Sequence, residues 1–95
     1  EISGGEARTA EMYLVLMSDA EFCILDEPFS NIAPNCIEKM QNLIQEQKRN
    51  KGIIVSDHMY EDILEITDDL FLLRDGYTFP IKSREDLIRN GYILR

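Results

Sequence analysis

The sequence predicts an α/β fold built on parallel strands, and three observations carry that reading. Two short uninterrupted apolar runs, Phe22-Cys23-Ile24-Leu25 and Ile53-Ile54-Val55, have the length and composition of strands buried on both faces. The stretch between them places Ile37, Met40, Leu43, Ile44 and Gln47 at helical spacing. Strand, helix and strand in that order make a βαβ unit, whose right-handed crossover leaves the strands parallel.

From the N-terminal end, Ala7, Ala10, Tyr13, Leu14 and Met17 recur at helical intervals, which predicts a helix from about Glu6 to Ser18. Ser3 and Glu6 have the spacing of a capping box that would satisfy orphan N–H groups at its start. The first apolar run ends in Asp26-Glu27-Pro28. Pro34 suits the first turn of the next helix, because its missing N–H is not needed there, and Asn50-Lys51-Gly52 closes that helix. Beyond the second run, a short helix is predicted over Tyr60 to Thr67, a strand over Asp69 to Arg74, another over Tyr77 to Ile81, and a closing helix over Ser83 to Asn90. Asp75-Gly76 between the last two strands is a hairpin signal.

The chain has 95 residues, 44% hydrophobic and 29% charged, which is ordinary globular material for one compact unit at most. A net charge of −8 argues against a nucleic-acid surface, which needs clustered basic residues to neutralise phosphates. Lys48, Arg49 and Lys51 do cluster, at a helix end where they would complement the helix dipole. Cys23 and Cys36 lack metal-ligand spacing and read as reduced thiols of a cytosolic protein. No apolar run is long enough to span a membrane, and the first residues do not resemble a signal peptide. The abrupt beginning suggests a piece of a longer chain.

Three places carry chemistry. Asp26 and Glu27 sit at the C-terminal tip of a predicted strand, the edge where open α/β sheets bind ligands. There the first acid can hold Mg²⁺ and the second can position an attacking water, although strand ends meeting solvent also display acids. Ser3, Gly4, Gly5 and Glu6 open a helix, whose unpaired N–H groups and positive dipole end favour anions, and the glycines admit a phosphate close to the backbone. A plain capped helix is the competing reading. His58, the sole histidine, follows the second apolar run and falls on the same sheet edge as the two acids if the strands are adjacent. It could reach a phosphate or a water there, or simply be a surface loop residue.

Taken together these segments resemble the motifs of ATP-binding cassette ATPases. Ile2-Ser3-Gly4-Gly5-Glu6 resembles the signature, Phe22 to Pro28 the Walker B strand with its following glutamate and proline, Ser30-Asn31-Ile32-Ala33 the D-loop, and Ser56-Asp57-His58 the switch-histidine loop. Glu61 to Leu64 and Thr67 to Gly76 resemble the run that follows it. Ala33 stands where that D-loop has aspartate, and no Gly-x-x-x-x-Gly-Lys-Ser/Thr phosphate loop occurs in the chain.

The resemblance implies the C-terminal part, residues 1–95, of one nucleotide-binding domain: a partial P-loop NTPase fold, three-layered, with a mostly parallel sheet lacking the phosphate-loop strand. That strand would lie between the histidine-loop strand and the one around Phe71-Leu72-Leu73. It further implies ATP and Mg²⁺ as cofactors, with Asp26 on the metal, Glu27 activating water and His58 at the γ-phosphate. Ser3, Gly4, Gly5 and Glu6 would close over ATP held by a second nucleotide-binding domain, identical or related, with Ser30, Asn31 and Ala33 at the same interface. A transmembrane transporter subunit is the other implied partner, placing the protein on the cytoplasmic face of the membrane. The unpaired strand edges predict self-association of this chain alone. The alternatives are a cassette ATPase of DNA repair or translation, or a non-catalytic regulatory module of receiver-like build. The last would explain Asp26 and Glu27 but not Ser3 to Glu6.

Overall fold

The computed structural model describes residues 4–30 and 32–92. In chain order they form α1 (Gly4–Leu16), β1 (Phe22–Asp26), α2 (Pro34–Gln47), β2 (Gly52–Ser56), α3 (Tyr60–Leu64), β3 (Leu70–Arg74), β4 (Tyr77–Ile81) and α4 (Arg84–Arg89). The predicted βαβ unit is present. β1 and β2 pair in parallel, with Ile24 opposite Ile54 and Asp26 opposite Ser56. Pro34 takes the first turn of α2, as its fixed φ and missing N–H favour. β3 and β4 form an antiparallel hairpin joined by Asp75 and Gly76, both at positive φ (52° and 81°), the two-residue turn whose twist suits a hairpin.

The main core lies between β1–β2 and the helices. Leu25 of β1 shares one buried cluster with Met12 and Leu16 of α1, Met40 and Ile44 of α2, Ile63 and Ile66 around α3, and Phe29 from the loop after β1. A smaller cluster of Leu72, Ile81 and Leu87 holds the hairpin to α4.

Three expectations need correction. The stripe expected on α1 is not the one buried: Met12 and Leu16 face the core, whereas Tyr13, Leu14 and Met17 are exposed. Apolar side chains surround that helix, so periodicity alone could not choose the face. Second, the strands are not buried on both faces. Phe22 and Ile24 are each 73% exposed and Ile54 62%, while their neighbours Cys23 and Leu25 are buried. A strand displays alternate residues on opposite sides, and the described residues supply a helical layer for one side only. Third, Lys51 does not serve α2. Its ammonium donates to the carbonyls of Leu16 (2.6 Å) and Ser18 (2.6 Å), where α1 ends. Lys48 pairs instead with Asp68 at 3.0 Å. The capping box involves Ser3, which lies outside the described residues.

The two sheets do not join: β1–β2 and β3–β4 are separate pairs. Between β2 and β3 run two grooves, of about 250 and 410 Å³, both bounded by Val55, Leu70 and Phe71. This is where the resemblance places an absent strand. Phe71 and Leu73, on the β3 side, are 58% and 72% exposed.

Candidate functional site

The parallel register brings the candidate residues together. Because Asp26 lies opposite Ser56, the residues that follow each strand, Glu27 and Asp57-His58, leave the sheet at one edge. Glu27 prolongs the ladder by one bond, its N–H donating to the Ser56 carbonyl at 2.5 Å. Its backbone then turns sharply, with φ at 52°, the left-handed region that is costly for a residue with a Cβ. This turn carries the glutamate side chain towards the histidine loop. His58 Nδ1 lies 3.3 Å from Glu27 Oε1, and both side chains are more than half exposed.

Asp26 is fixed on two sides. The Ser56 hydroxyl donates to its Oδ1 at 2.7 Å, and the guanidinium of Arg8, one turn into α1, donates to its carbonyl. A single carboxylate with a hydroxyl beside it suits Mg²⁺, which keeps water and substrate oxygens in most of its octahedral positions instead of entering an all-protein cage. Among the described residues no group of three or more His, Cys, Asp and Glu is arranged as such a cage.

The loop after the acids is held by packing and by one carboxylate. Pro28 and Phe29 are buried almost completely. Asp57, whose side chain is 0% exposed, accepts the Phe29 N–H at 2.8 Å and the Ser30 hydroxyl at 3.0 Å. It also accepts the N–H of Met59, in its own loop, at 3.0 Å. From the far side, the Tyr92 hydroxyl donates to the His58 carbonyl at 3.4 Å, and the Tyr92 ring meets Tyr60 edge-on with centroids 6.3 Å apart. Asp62, in the first turn of α3, has its carboxyl pushed above the usual carboxylate range by partial burial first, then by the charges of Glu65, Asp57 and Glu61.

Of the residues singled out in the sequence, the structure gathers Asp26, Glu27, Ser30 and His58 at one edge. Gly4, Gly5 and Glu6 form the first turn of α1. Ala33 is the exposed residue before α2 and makes no side-chain cap, as alanine cannot. Ser3 and Asn31 lie outside the described residues. Sequence reasoning assigned no task to Ser56 or Asp57. An Asp bonding the N–H two residues on is a local pattern that could have been read, but the contacts of Asp57 with Phe29 and Ser30 join distant segments and could not.

Comparison with known proteins finds ATP-binding proteins of transporters. The chain is 32% identical over 88 residues to the lipopolysaccharide export system ATP-binding protein LptB of Acidithiobacillus ferridurans, covering 92% of this chain and 36% of that protein. It is 39% identical over 96 residues to the energy-coupling factor transporter ATP-binding protein EcfA2 of Mycoplasmoides gallisepticum, covering 100% of this chain and 30% of that one. The chain is similar to the ATP-binding proteins of cassette transporters. It spans about a third of the length of these curated cassette relatives. No family model matches it. A solved structure from work on ATP-driven dimerization and DNA-stimulated activation of SMC ATPases superposes with a TM-score of 0.68 at 19% identity, over 96% of this chain and 60% of that one, and so shares its fold.

Proposed function

We propose that this chain is part of the ATP-hydrolysing subunit of a membrane transporter, contributing the water-activating edge of one ATP site and the closing surface of another. The observation that carries the reading is the Glu27–His58 pair, 3.3 Å apart beside Asp26 at the tip of two parallel strands. In this reading Glu27 accepts hydrogen bonds from the attacking water and draws its proton, and His58 keeps that carboxylate oriented while donating to the terminal phosphate. Asp26, pinned by Ser56, would hold Mg²⁺, which when bound neutralises charge on the phosphate oxygens. Ser3, Gly4, Gly5 and Glu6 at the start of α1 would present N–H groups to ATP held by a second nucleotide-binding domain, and Ser30, Asn31 and Ala33 would line the same junction.

The lysine-bearing phosphate loop does not occur in these 95 residues. They therefore form the C-terminal portion of a single domain and bind ATP weakly, if at all, without the remainder. The partners are a second nucleotide-binding domain and a transmembrane subunit, which would keep the protein at the cytoplasmic face of the membrane. The names of the relatives support the transport setting, and among the described residues no helix is long and apolar enough to cross a membrane itself. The net charge of −8 speaks against a cassette ATPase working on nucleic acid.

Glu27→Gln in the complete protein tests the reading. It removes the proton acceptor but keeps the shape, so ATP should still bind and hold two subunits together while hydrolysis falls by about 100-fold or more, as for other general bases. Phosphate release and sedimentation with ATP report the two outcomes. Wild-type turnover in that variant overturns the assignment.

A further inference from the structure

We propose that Asp57 is a positioning residue that locks the Glu27–Ser30 loop to the His58 loop and thereby sets the Glu27–His58 distance. The inference rests on the hydrolytic reading above. A carboxylate buried with no exposed surface is tolerated only when its oxygens are satisfied, and here three donors from two loops do so. Oδ2 takes the Phe29 N–H at 2.8 Å, and Oδ1 takes both the Ser30 hydroxyl and the Met59 N–H at 3.0 Å. Two of these donors lie within three residues of Glu27, and the third is the residue after His58. No other side-chain bond among the described residues joins the two loops directly except the Glu27–His58 contact itself, which is open to solvent. The exposed pair is therefore held in register by a buried anchor between its two loops. Asp57 Oδ1 is 3.7 Å from His58 Nδ1, beyond a hydrogen bond, so it acts through backbone placement and not by orienting the ring.

Asparagine exposes this dependence. An amide has one oxygen and one NH₂ group, so whichever way it turns, either the Phe29 or the Met59 backbone N–H faces a second donor. One loop must shift, and a shift of about 1 Å between reacting groups can cost about 100-fold in rate. In the complete protein, Asp57→Asn is expected to lower kcat about 10- to 100-fold, with the KM for ATP-Mg²⁺ within about twofold, since Asp57 touches no phosphate-binding group. Ser30→Ala, which leaves the carboxylate and removes one donor, is expected to lower kcat about two- to tenfold.

A wild-type kcat in Asp57→Asn overturns the proposal, as does a loss of rate matched by an equal loss of folded protein. If Asp57→Asn does not fold, Ser30→Ala decides, and an unchanged kcat there overturns it. The two readings fail separately. Hydrolysis that survives Glu27→Gln removes the functional reading and this one with it, whereas hydrolysis abolished by Glu27→Gln but untouched by Asp57→Asn removes only the positioning role.

Discussion

The two flanks of β2 are built on opposite terms. Towards β1 and the ends of both strands, a complete parallel ladder, the buried Phe29 and the Asp57 carboxylate fix every turn. Towards β3 there is no ladder, only two grooves and a row of uncovered apolar side chains. The second flank is unfinished, and it leaves Ile54, Phe71 and Leu73 bare of cover. In the proposed reading, the residues assigned to water activation are thus assembled on the closed flank.

Breaking the closed flank should have the largest effect. Phe29 is 1% exposed and packs at the loop end of the main core. Phe29→Ala is expected to cost about 3–5 kcal/mol in urea unfolding and to loosen the Glu27 loop at the same time. A cost under about 1 kcal/mol would mean the loop is not held by this plug. A smaller effect sits next to the histidine loop, at Asp62. Its carboxyl is raised above the ordinary value, so the folded state binds that proton more tightly than the unfolded chain does. Stability from this group is therefore highest at low pH, falls as pH rises between the ordinary value of 3.8 and the raised folded value, and stays lowered above it. Asp62→Asn should stabilise the protein at pH 7 by less than about 1 kcal/mol, a gain that shrinks as pH falls through that window. Thermal unfolding at pH 7 and pH 4 checks the sign.

The smallest stability change should come from the open flank. Ile54→Thr with Phe71→Thr alters exposed side chains, so unfolding free energy should move by no more than about 0.5 kcal/mol per substitution. The 95-residue chain itself is expected to self-associate through this face, and the double variant to remain monomeric at concentrations where the parent does not. Sedimentation over a wide concentration range measures both, and a parent chain that stays monomeric would show that exposure alone does not drive pairing.

Much of this architecture was readable from sequence because local patterns fixed it. The apolar runs set β1 and β2, Pro34 set the start of α2, and Asp75-Gly76 set the hairpin. Asp26, Glu27 and His58 converge because parallel pairing puts both strand ends at one edge. The unreadable parts depended on what lies across the chain or beyond it. The buried face of α1 is chosen by α2 and β1, since Met12 and Leu16 are no more apolar than Leu14. The one-sidedness of β1 follows from which layers these residues supply, and Phe22 and Ile24 carry no mark of it. The work of Asp57 and Lys51 appears only when distant loops and carbonyls are brought to them.

The left-handed backbone at Glu27 has a consequence for how this segment balances durability against use. A glutamate there costs about 1–2 kcal/mol relative to a relaxed conformation, and asparagine tolerates that region better. Selection for robustness alone would favour replacing it, so Glu27→Asn should be at least as resistant to heat as the parent while losing its proton acceptor. In the proposed reading the carboxylate at this bend is a concession of stability to function, since a residue better suited to the bend could not serve as the proton acceptor.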